Sequence, residues 1–193
     1  MKHAKDTAAI VLAGGRSGRM GSDKALLPVN GIPLLQHILE QLRLVLPRVI
    51  VSANDPDRYP FLDCQIVPDR VPDRGPLMGI ASAITASGCR HNLVVACDIP
   101  VIDHPFIATM LSESDDYDCV VPRTADGYLE PLFAVYRDTA LPIANGLLAR
   151  GVRRASALCD HCRARQVPLP PSLQLHNLNT STDYDAFVAE LSR

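Results

Sequence analysis

The chain lacks a surplus of positive charge, and it lacks any long apolar run. Its 193 residues include 19 Lys and Arg and 21 Asp and Glu, which gives a formal net charge of -2. This balance excludes a basic surface that wraps DNA or RNA, so any phosphate binding must be local. No apolar run approaches membrane-spanning length, and the apolar stretch before Gly14 is too short for a signal peptide. We expect a soluble cytoplasmic protein that contacts neither nucleic acid nor membrane.

The chain also lacks the cysteine pattern of a disulfide-bonded secreted protein. Its cysteines number six, and four lie in or beside apolar segments, which favours buried thiols: Cys64, Cys89, Cys97 and Cys119. Cys159 and Cys162 have the spacing of a zinc-ligand pair, but no second pair lies nearby in sequence. The alternative for these two is the end of a helix over Val152 to Cys162.

Two common phosphate-binding motifs are missing from the glycine-rich segment Leu12 to Lys24. A Walker loop requires Gly-Lys followed by Ser or Thr, whereas Lys24 follows an aspartate and precedes an alanine. A dinucleotide fingerprint requires Gly-x-Gly-x-x-Gly opening directly into a helix, but Gly15, Gly18 and Gly21 form a looser repeat. The segment therefore belongs to neither of these two classes.

The residues that this segment does contain favour a nucleoside triphosphate. Four glycines within eight positions let backbone amides approach phosphate oxygens, because no Cβ stands in the way. Two arginines and Lys24 add positive charge where a polyphosphate would lie. The alternative, a flexible surface loop, does not account for the apolar strand before the segment or for the placement of these charges.

Apolar runs alternate with amphipathic segments along the chain. Continuous apolar runs are typical of strands buried on both faces, and they occur at Thr7 to Leu12, Val49 to Ser52, Leu93 to Cys97 and Cys119 to Val121. Helices are predicted from about Pro33, with Leu35, Ile38, Leu39, Leu42 and Leu46 on one face, and over Leu77 to Ala86, Pro105 to Leu111 and Thr139 to Ala149. This alternation predicts an α/β fold in a single domain over residues 1–193, with a Rossmann-like, doubly wound, mostly parallel sheet and helices on both faces.

The last third of the chain is less regular. Leu132 to Tyr136 is predicted to be a strand, and the proline-rich stretch Val167 to Pro171 a loop. Thr180 to Asp183 has the spacing of a capping box before a final helix. We expect the second substrate to contact this third.

Two carboxylates follow predicted strands at the edge where such sheets bind ligands. Asp98 ends a buried run, and Pro100 interrupts regular pairing two residues later. Mg²⁺ binds one or two carboxylates together with phosphate oxygens and water, so Asp98 facing a triphosphate would suffice; the alternative is an aspartate that caps the next loop. Asp69 follows the run Gln65 to Val67 and could hold a sugar hydroxyl or the metal's water shell, or be an ordinary turn residue.

Five motifs lie in a fixed order along the chain: Leu12 to Lys24, Gly75 to Ile80, Cys97 to Pro100, Glu130 to Ala134 and Asn177 to Thr180. In order and spacing they resemble the bacterial molybdenum cofactor guanylyltransferases, over nearly the whole chain from about Ala9 onwards. The first motif alone marks the wider nucleotidyltransferase family. The five together are much more selective.

The resemblance implies a fold of nucleotide-diphospho-sugar transferase type. It implies transfer of GMP from GTP to the phosphate of molybdenum-molybdopterin, with release of pyrophosphate and formation of molybdopterin guanine dinucleotide. The implied cofactor is Mg²⁺ at Asp98, with Mn²⁺ able to substitute, and the implied partners beyond the substrates are molybdoenzyme maturation proteins in transient contact.

The resemblance also implies roles for particular residues. Lys24, Arg19 and Asp98 would be catalytic, since they supply charge around the phosphates. Contacts with the nucleotide or with the far wall of the site are implied for Leu12, Ala13, Gly14, Gly15, Lys24, Ser52, Asn54, Asp69, Gly79, Asn177 and Asn179.

Three alternatives remain open from the sequence. A cytidylyl-transferring relative acts on the same pterin, but such relatives tend to carry alanine at the position of Gly14, and the missing methyl group leaves more room for a purine. A sugar-phosphate nucleotidyltransferase shares the first motif, yet is generally longer. A non-catalytic carrier of the cofactor has no need of Lys24 together with Asp98.

Overall fold

The computed structural model describes residues 4–13, 23–171, 173, 175 and 177–191. Over these residues the strands in chain order are β1 (Thr7–Leu12), β2 (Pro28–Val29), β3 (Ile32–Pro33), β4 (Arg48–Ser52), β5 (Gln65–Val67), β6 (His91–Ala96), β7 (Cys119–Arg123), β8 (Phe133–Arg137) and β9 (Ala164–Pro168). The α-helices are α1 (Leu34–Arg43), α2 (Pro76–Ser87), α3 (His104–Ser112), α4 (Leu141–Ala149), α5 (Ser156–His161) and α6 (Ser181–Leu191).

The main sheet has seven strands in the order β5-β4-β1-β6-β8-β7-β9. The four strands β5, β4, β1 and β6 run parallel, and β7 runs parallel to β9. Strand β8 lies between β6 and β7 and is antiparallel to both. The mostly parallel sheet is confirmed. The apolar run Cys119 to Val121 lies in β7, which has a parallel neighbour on one side and an antiparallel neighbour on the other.

Helices cover both faces of this sheet, as the sequence predicts. Ala9 and Val11 of β1 point into a core formed with α1, α3 and α6. Ala8 and Ile10 point into a second core formed with α2, α4 and α5. Alternate side chains of β1 therefore pack against helices on opposite faces of the sheet. This is why the sequence of β1 is a continuous apolar run.

The predicted helix over Val152 to Cys162 is wrong at its start. Residues 152–155 are not helical, and the helix is α5, Ser156–His161. Gly151, with φ of +79°, ends α4 in the left-handed conformation. The carbonyl of Arg153 then accepts a hydrogen bond of 3.2 Å from the backbone N–H of Leu77 in α2. This tertiary contact draws the segment away from a helical path.

Two further boundaries differ from those predicted. The proline-rich stretch Val167 to Pro171 begins inside β9, where Pro168 closes an edge strand, a position at which proline costs no ladder hydrogen bond inside the sheet. The predicted helix over Thr139 to Ala149 is split into a 3₁₀ turn at Asp138–Ala140 and α4. The proline at the second position of α4 fits a helix start.

The capping box before the last helix is confirmed. The backbone N–H of Asp183 donates to Thr180 Oγ1 at 3.2 Å, and Asp183 Oδ2 accepts from the backbone N–H of Thr180 at 2.8 Å. These reciprocal bonds satisfy two donors that a helix start leaves open. In the part of the chain that the structure describes, no helix is long and apolar enough to cross a membrane.

Candidate active site

A cleft of about 640 Å³ opens at the carboxyl ends of β1, β4 and β6. Parallel strands leave polar loops at this edge of the sheet, and ligands of open α/β folds bind there. The walls contain eight residues that the sequence assigned to the site: Leu12, Ala13, Lys24, Ser52, Asn54, Asp69, Gly79 and Asp98. Gly14, Gly15 and Arg19 lie outside the described residues.

Lys24 and Asp98, which both line this cleft, are in contact with each other. Lys24 Nζ lies 3.5 Å from Asp98 Oδ2 and 3.3 Å from Asn179 Oδ1. The two charged side chains are 17% and 26% exposed, so the pair is partly shielded but open to a ligand. The backbone N–H of Leu178 donates to the carbonyl of Asp98 at 2.9 Å, which fixes the late segment against the end of β6. Three residues from distant parts of the sequence thus form one polar centre.

Neither Asn177 nor Asn179 is among the described residues that line this cleft, although Asn179 contacts Lys24, which does. Asn177 lies elsewhere. It lines a smaller cavity of about 310 Å³ beside α6, together with Leu178, Asp183 and Phe187. Its carbonyl accepts a hydrogen bond of 2.8 Å from the N–H of Asn179. The two asparagines therefore have different surroundings: Asn179 contacts Lys24, and Asn177 lines the smaller cavity. Their contact with a ligand stays a prediction.

Asn54 and Asp69 form a reciprocal pair on the opposite wall. Asn54 Nδ2 donates to Asp69 Oδ2 at 3.0 Å, and the backbone N–H of Asp69 donates to Asn54 Oδ1 at 2.7 Å. The two bonds join the loops that follow β4 and β5. A ligand at this wall would meet a carboxylate whose position is already fixed.

Gly79 lies in the first turns of α2 at the point where three of these site residues converge. A Cβ at this position would lie 2.9 Å from Ser52 Oγ, 3.4 Å from Asp69 Oδ1 and 3.6 Å from Leu12 Cδ2. The closest of these distances is shorter than a Cβ tolerates. Glycine is required here by close approach, since its backbone is ordinary helix.

We expect Gly79→Ala to lower kcat/KM for the nucleotide by about tenfold, because the methyl group displaces Ser52 and overpacking of this kind costs roughly 1–3 kcal/mol. Steady-state kinetics against nucleotide concentration measures the effect. The matched control is Gly146→Ala in α4, where a Cβ meets no atom within 4 Å. This control should keep wild-type kinetics, and equal kinetics for both variants would contradict the crowding at Gly79.

Burial raises the pKa of two groups close to Asp98. Burial, followed by the charge of Asp98, raises the pKa of Glu130 above its usual value. The Asp98 carboxylate itself lies 3.5 Å from the Lys24 ammonium group, which offsets its charge. Burial also raises the pKa of the neighbouring Cys97 thiol to about 12, so this thiol is neutral and unsuited to nucleophilic attack at neutral pH.

Sequence reasoning missed a polar cluster at the start of the lysine turn. Asp23 Oδ1 accepts from the N–H of Ala25 at 3.1 Å and caps the 3₁₀ turn Lys24–Leu26. Asp23 Oδ2 lies 3.0 Å from Arg58 Nη2 and accepts from the Tyr59 hydroxyl at 2.9 Å. An aspartate directly before a helical turn is a recognisable capping signal. Nothing in the sequence around Tyr59 indicates its contact.

Cys159 lies on α5, with its Sγ 3.8 Å from Cys119 Sγ and 3.7 Å from the Tyr136 hydroxyl. All six cysteines are free thiols. Cys162 follows the end of α5 and is partly buried. Over the described residues, no group of three or more His, Cys, Asp or Glu side chains could hold a metal by itself.

Comparison with known proteins agrees with this geometry. The profile of the family described as MobA-like NTP transferase domain matches residues 9–166. The protein therefore belongs to the nucleotidyltransferase class of enzymes. The chain is 32% identical over 185 residues to the probable molybdenum cofactor guanylyltransferase of Carboxydothermus hydrogenoformans, an alignment that covers 91% of each protein. The chain belongs to the molybdenum cofactor guanylyltransferase family.

Solved structures share the fold. Molybdopterin-guanine dinucleotide biosynthesis protein A from Archaeoglobus fulgidus superposes with a TM-score of 0.83 at 20% identity, over 96% of this chain and 98% of the other. A Mycobacterium tuberculosis protein solved in complex with manganese superposes with a TM-score of 0.68 at 18% identity, over 95% of this chain and 98% of the other. At these identities the likeness concerns the fold alone.

Proposed function

We propose that the protein transfers GMP from GTP to the phosphate of molybdenum-molybdopterin, releasing pyrophosphate and forming molybdopterin guanine dinucleotide. The observation that carries the proposal is the 3.5 Å contact of Lys24 Nζ with Asp98 Oδ2 inside the cleft. A protein that only binds the cofactor does not require a lysine ammonium group in contact with a carboxylate that follows a strand. The names of the curated relatives support the same substrate pair.

The residues around Asp98 fit a divalent cation, which we propose to be Mg²⁺, with Mn²⁺ as an effective substitute. Asp98 offers a partly exposed carboxylate just after the end of β6, on the wall of the cleft. Mg²⁺ completes its coordination with phosphate oxygens and water, so one protein carboxylate is enough. The manganese complex of the Mycobacterium tuberculosis protein is consistent with this choice. Bound there, the metal would polarise the phosphates.

In this proposal the protein's task is alignment and charge neutralisation. The pterin phosphate attacks the α-phosphorus of GTP and pyrophosphate leaves, a step that needs no protein nucleophile. The buried Cys97 thiol, with its raised pKa, is unsuited to that role. Lys24, aligned by Asp98 and Asn179, would turn toward the triphosphate and neutralise charge that spreads onto pyrophosphate as it leaves. Arg19 would add to this field. Asn54 and Asp69 would contact the base or ribose from the opposite wall.

We expect GTP with Mg²⁺ to raise the melting temperature more than CTP or UTP does. Ligand at one hundred times its Kd adds about 2.7 kcal/mol to the free energy of unfolding, or about 5–10 °C for a chain of this size. Thermal shift with the three nucleotides measures the preference. Pyrophosphate release with GTP and the pterin measures turnover.

Each alternative has its own outcome in this experiment. A preference for CTP with turnover would identify a cytidylyl transferase, and a preference for UTP would favour a sugar-phosphate acceptor. Binding of the pterin without release of pyrophosphate would identify a carrier. We further propose that the protein forms one domain over residues 1–193, that it acts in the cytoplasm, and that it makes transient contact with molybdoenzyme maturation proteins.

A further inference from the structure

One hydroxyl group contacts both residues that flank positions 14–22. Tyr59 Oη lies 3.2 Å from the carbonyl oxygen of Ala13 and 2.9 Å from Asp23 Oδ2. Both partners are acceptors, so the phenolic proton is the only hydrogen in this contact. The two ends of the glycine-rich segment are thereby held close together by a residue from the β4–β5 connection.

The side chain of Tyr59 is well placed to act as a fixed anchor. It is 3% exposed and packs in the core beneath α1. Its ring makes an edge-to-face contact with Phe61, with centroids 6.3 Å apart. Its backbone is held on both sides, because its N–H donates to the carbonyl of Pro56 and its carbonyl accepts from the N–H of Leu62. Burial, followed by the hydrogen bond to Asp23, raises the pKa of Tyr59 well above its usual value, so its proton stays in place.

Asp23 transmits this anchoring to Lys24. Its Oδ1 atom caps the turn that contains Lys24, and its Oδ2 atom contacts Tyr59 and Arg58. Arg58 is about half exposed, whereas the Asp23 side chain is 9% exposed. The buried hydroxyl is therefore the more rigid of the two partners. Displacing Asp23 would displace the next residue, whose ammonium group reaches Asp98 and Asn179.

We propose that Tyr59 is a positioning residue for the triphosphate site: its hydroxyl group joins the two ends of the glycine-rich segment and sets the position of Lys24 through Asp23. The inference rests on the proposed function for its kinetic consequence, but its structural part concerns Ala13, Tyr59, Asp23 and Lys24 alone. Removal of the hydroxyl takes away the donor that contacts both the Ala13 carbonyl and the Asp23 carboxylate. Two acceptors in a largely buried place then lose a hydrogen-bond partner, so the link between the two ends is weakened.

The test is Tyr59→Phe, which keeps the ring and its packing and removes the hydroxyl. Hydrogen bonds to charged groups are among the stronger ones, so we expect kcat/KM for GTP to fall by about tenfold, mainly through a higher KM for GTP with the KM for the pterin unchanged. Hydrogen exchange of the Ala25 amide should accelerate in the absence of any nucleotide. The matched control is Tyr117→Phe, which removes a hydroxyl just before β7, at the opposite edge of the sheet.

The same substitution in a Lys24→Ala protein distinguishes an effect on the position of Lys24 from general destabilisation. In that protein, Tyr59→Phe should alter kcat/KM for GTP less than twofold, because the ammonium group that Tyr59 positions is gone. Asp23→Asn keeps the shape of the side chain and the capping oxygen but loses its charge, so its KM for GTP should rise in the same direction. It provides the check if Tyr59→Phe does not fold.

Two results would overturn the inference: wild-type exchange at Ala25 in Tyr59→Phe, or the same loss of kcat/KM in the presence and absence of Lys24. Failure of the proposed function has a different signature, because it is visible in the wild type as absence of GTP turnover. In that event the exchange at Ala25 still decides the role of Tyr59.

Discussion

Asp98→Ala should lower turnover of GTP and pterin by roughly 10²–10³-fold, since a preorganised charge partner of the transition state contributes about 3 kcal/mol. The fold should survive, because the structural role of Asp98 is played by its backbone: its carbonyl accepts the hydrogen bond from Leu178, and that group remains in alanine. Rates of pyrophosphate release in saturating Mg²⁺ measure the loss. The melting temperature should stay within about 2 °C, as for a surface substitution.

The matched control for this variant is Asp116→Ala. Asp116 is an exposed aspartate before β7, at the edge of the sheet opposite to the cleft. It should keep wild-type turnover. Near wild-type turnover in purified Asp98→Ala would instead remove Asp98 from the metal site, whatever the behaviour of the control.

Lys24→Ala should lower kcat/KM for GTP by a similar factor, roughly 10²–10³. The ammonium group is the described cation closest to Asp98, and its loss leaves charge on the phosphates uncompensated as pyrophosphate departs. We expect both a higher KM for GTP and a lower kcat, because the Lys24 ammonium group would stabilise both the bound GTP and the transition state. Initial rates over a range of GTP concentrations separate the two parameters.

Lys5→Ala provides the control, because Lys5 is exposed before β1 at the far edge of the sheet. The double variant of Lys24 and Asp98 should lose much less than the product of the two single losses, because contacting residues that serve one step are not additive. A kcat/KM for GTP within threefold of wild type in Lys24→Ala would contradict the proposed phosphate contact.

The sequence predicted the parallel half of the sheet well because local signals and tertiary structure agree there. Thr7 to Leu12 matches β1 at both ends, and Leu77 to Ala86 differs from α2 by one residue at each end. The ends of β1 and β6 then determine where the segments that carry Lys24 and Asp98 begin. The convergence of their segments follows from topology alone, since parallel strands deliver their following loops to one edge.

The remainder could not be predicted because its causes are not local. The path of residues 152–155 depends on a hydrogen bond between Arg153 and Leu77. The short hairpin of β2 and β3 was not predicted although Asn30 and Gly31, with φ of 49° and 85°, form a recognisable turn pair. The contact of Tyr59 with Ala13 and Asp23 joins three distant positions through one atom, and no periodic pattern records such a contact.

The bond between Leu178 and Asp98 also has a consequence for folding. It joins positions eighty residues apart, and contacts of that kind form slowly because the entropy of loop closure opposes them. Lys24 therefore gains its amide partner, Asn179, only when the segment after β9 docks against the end of β6.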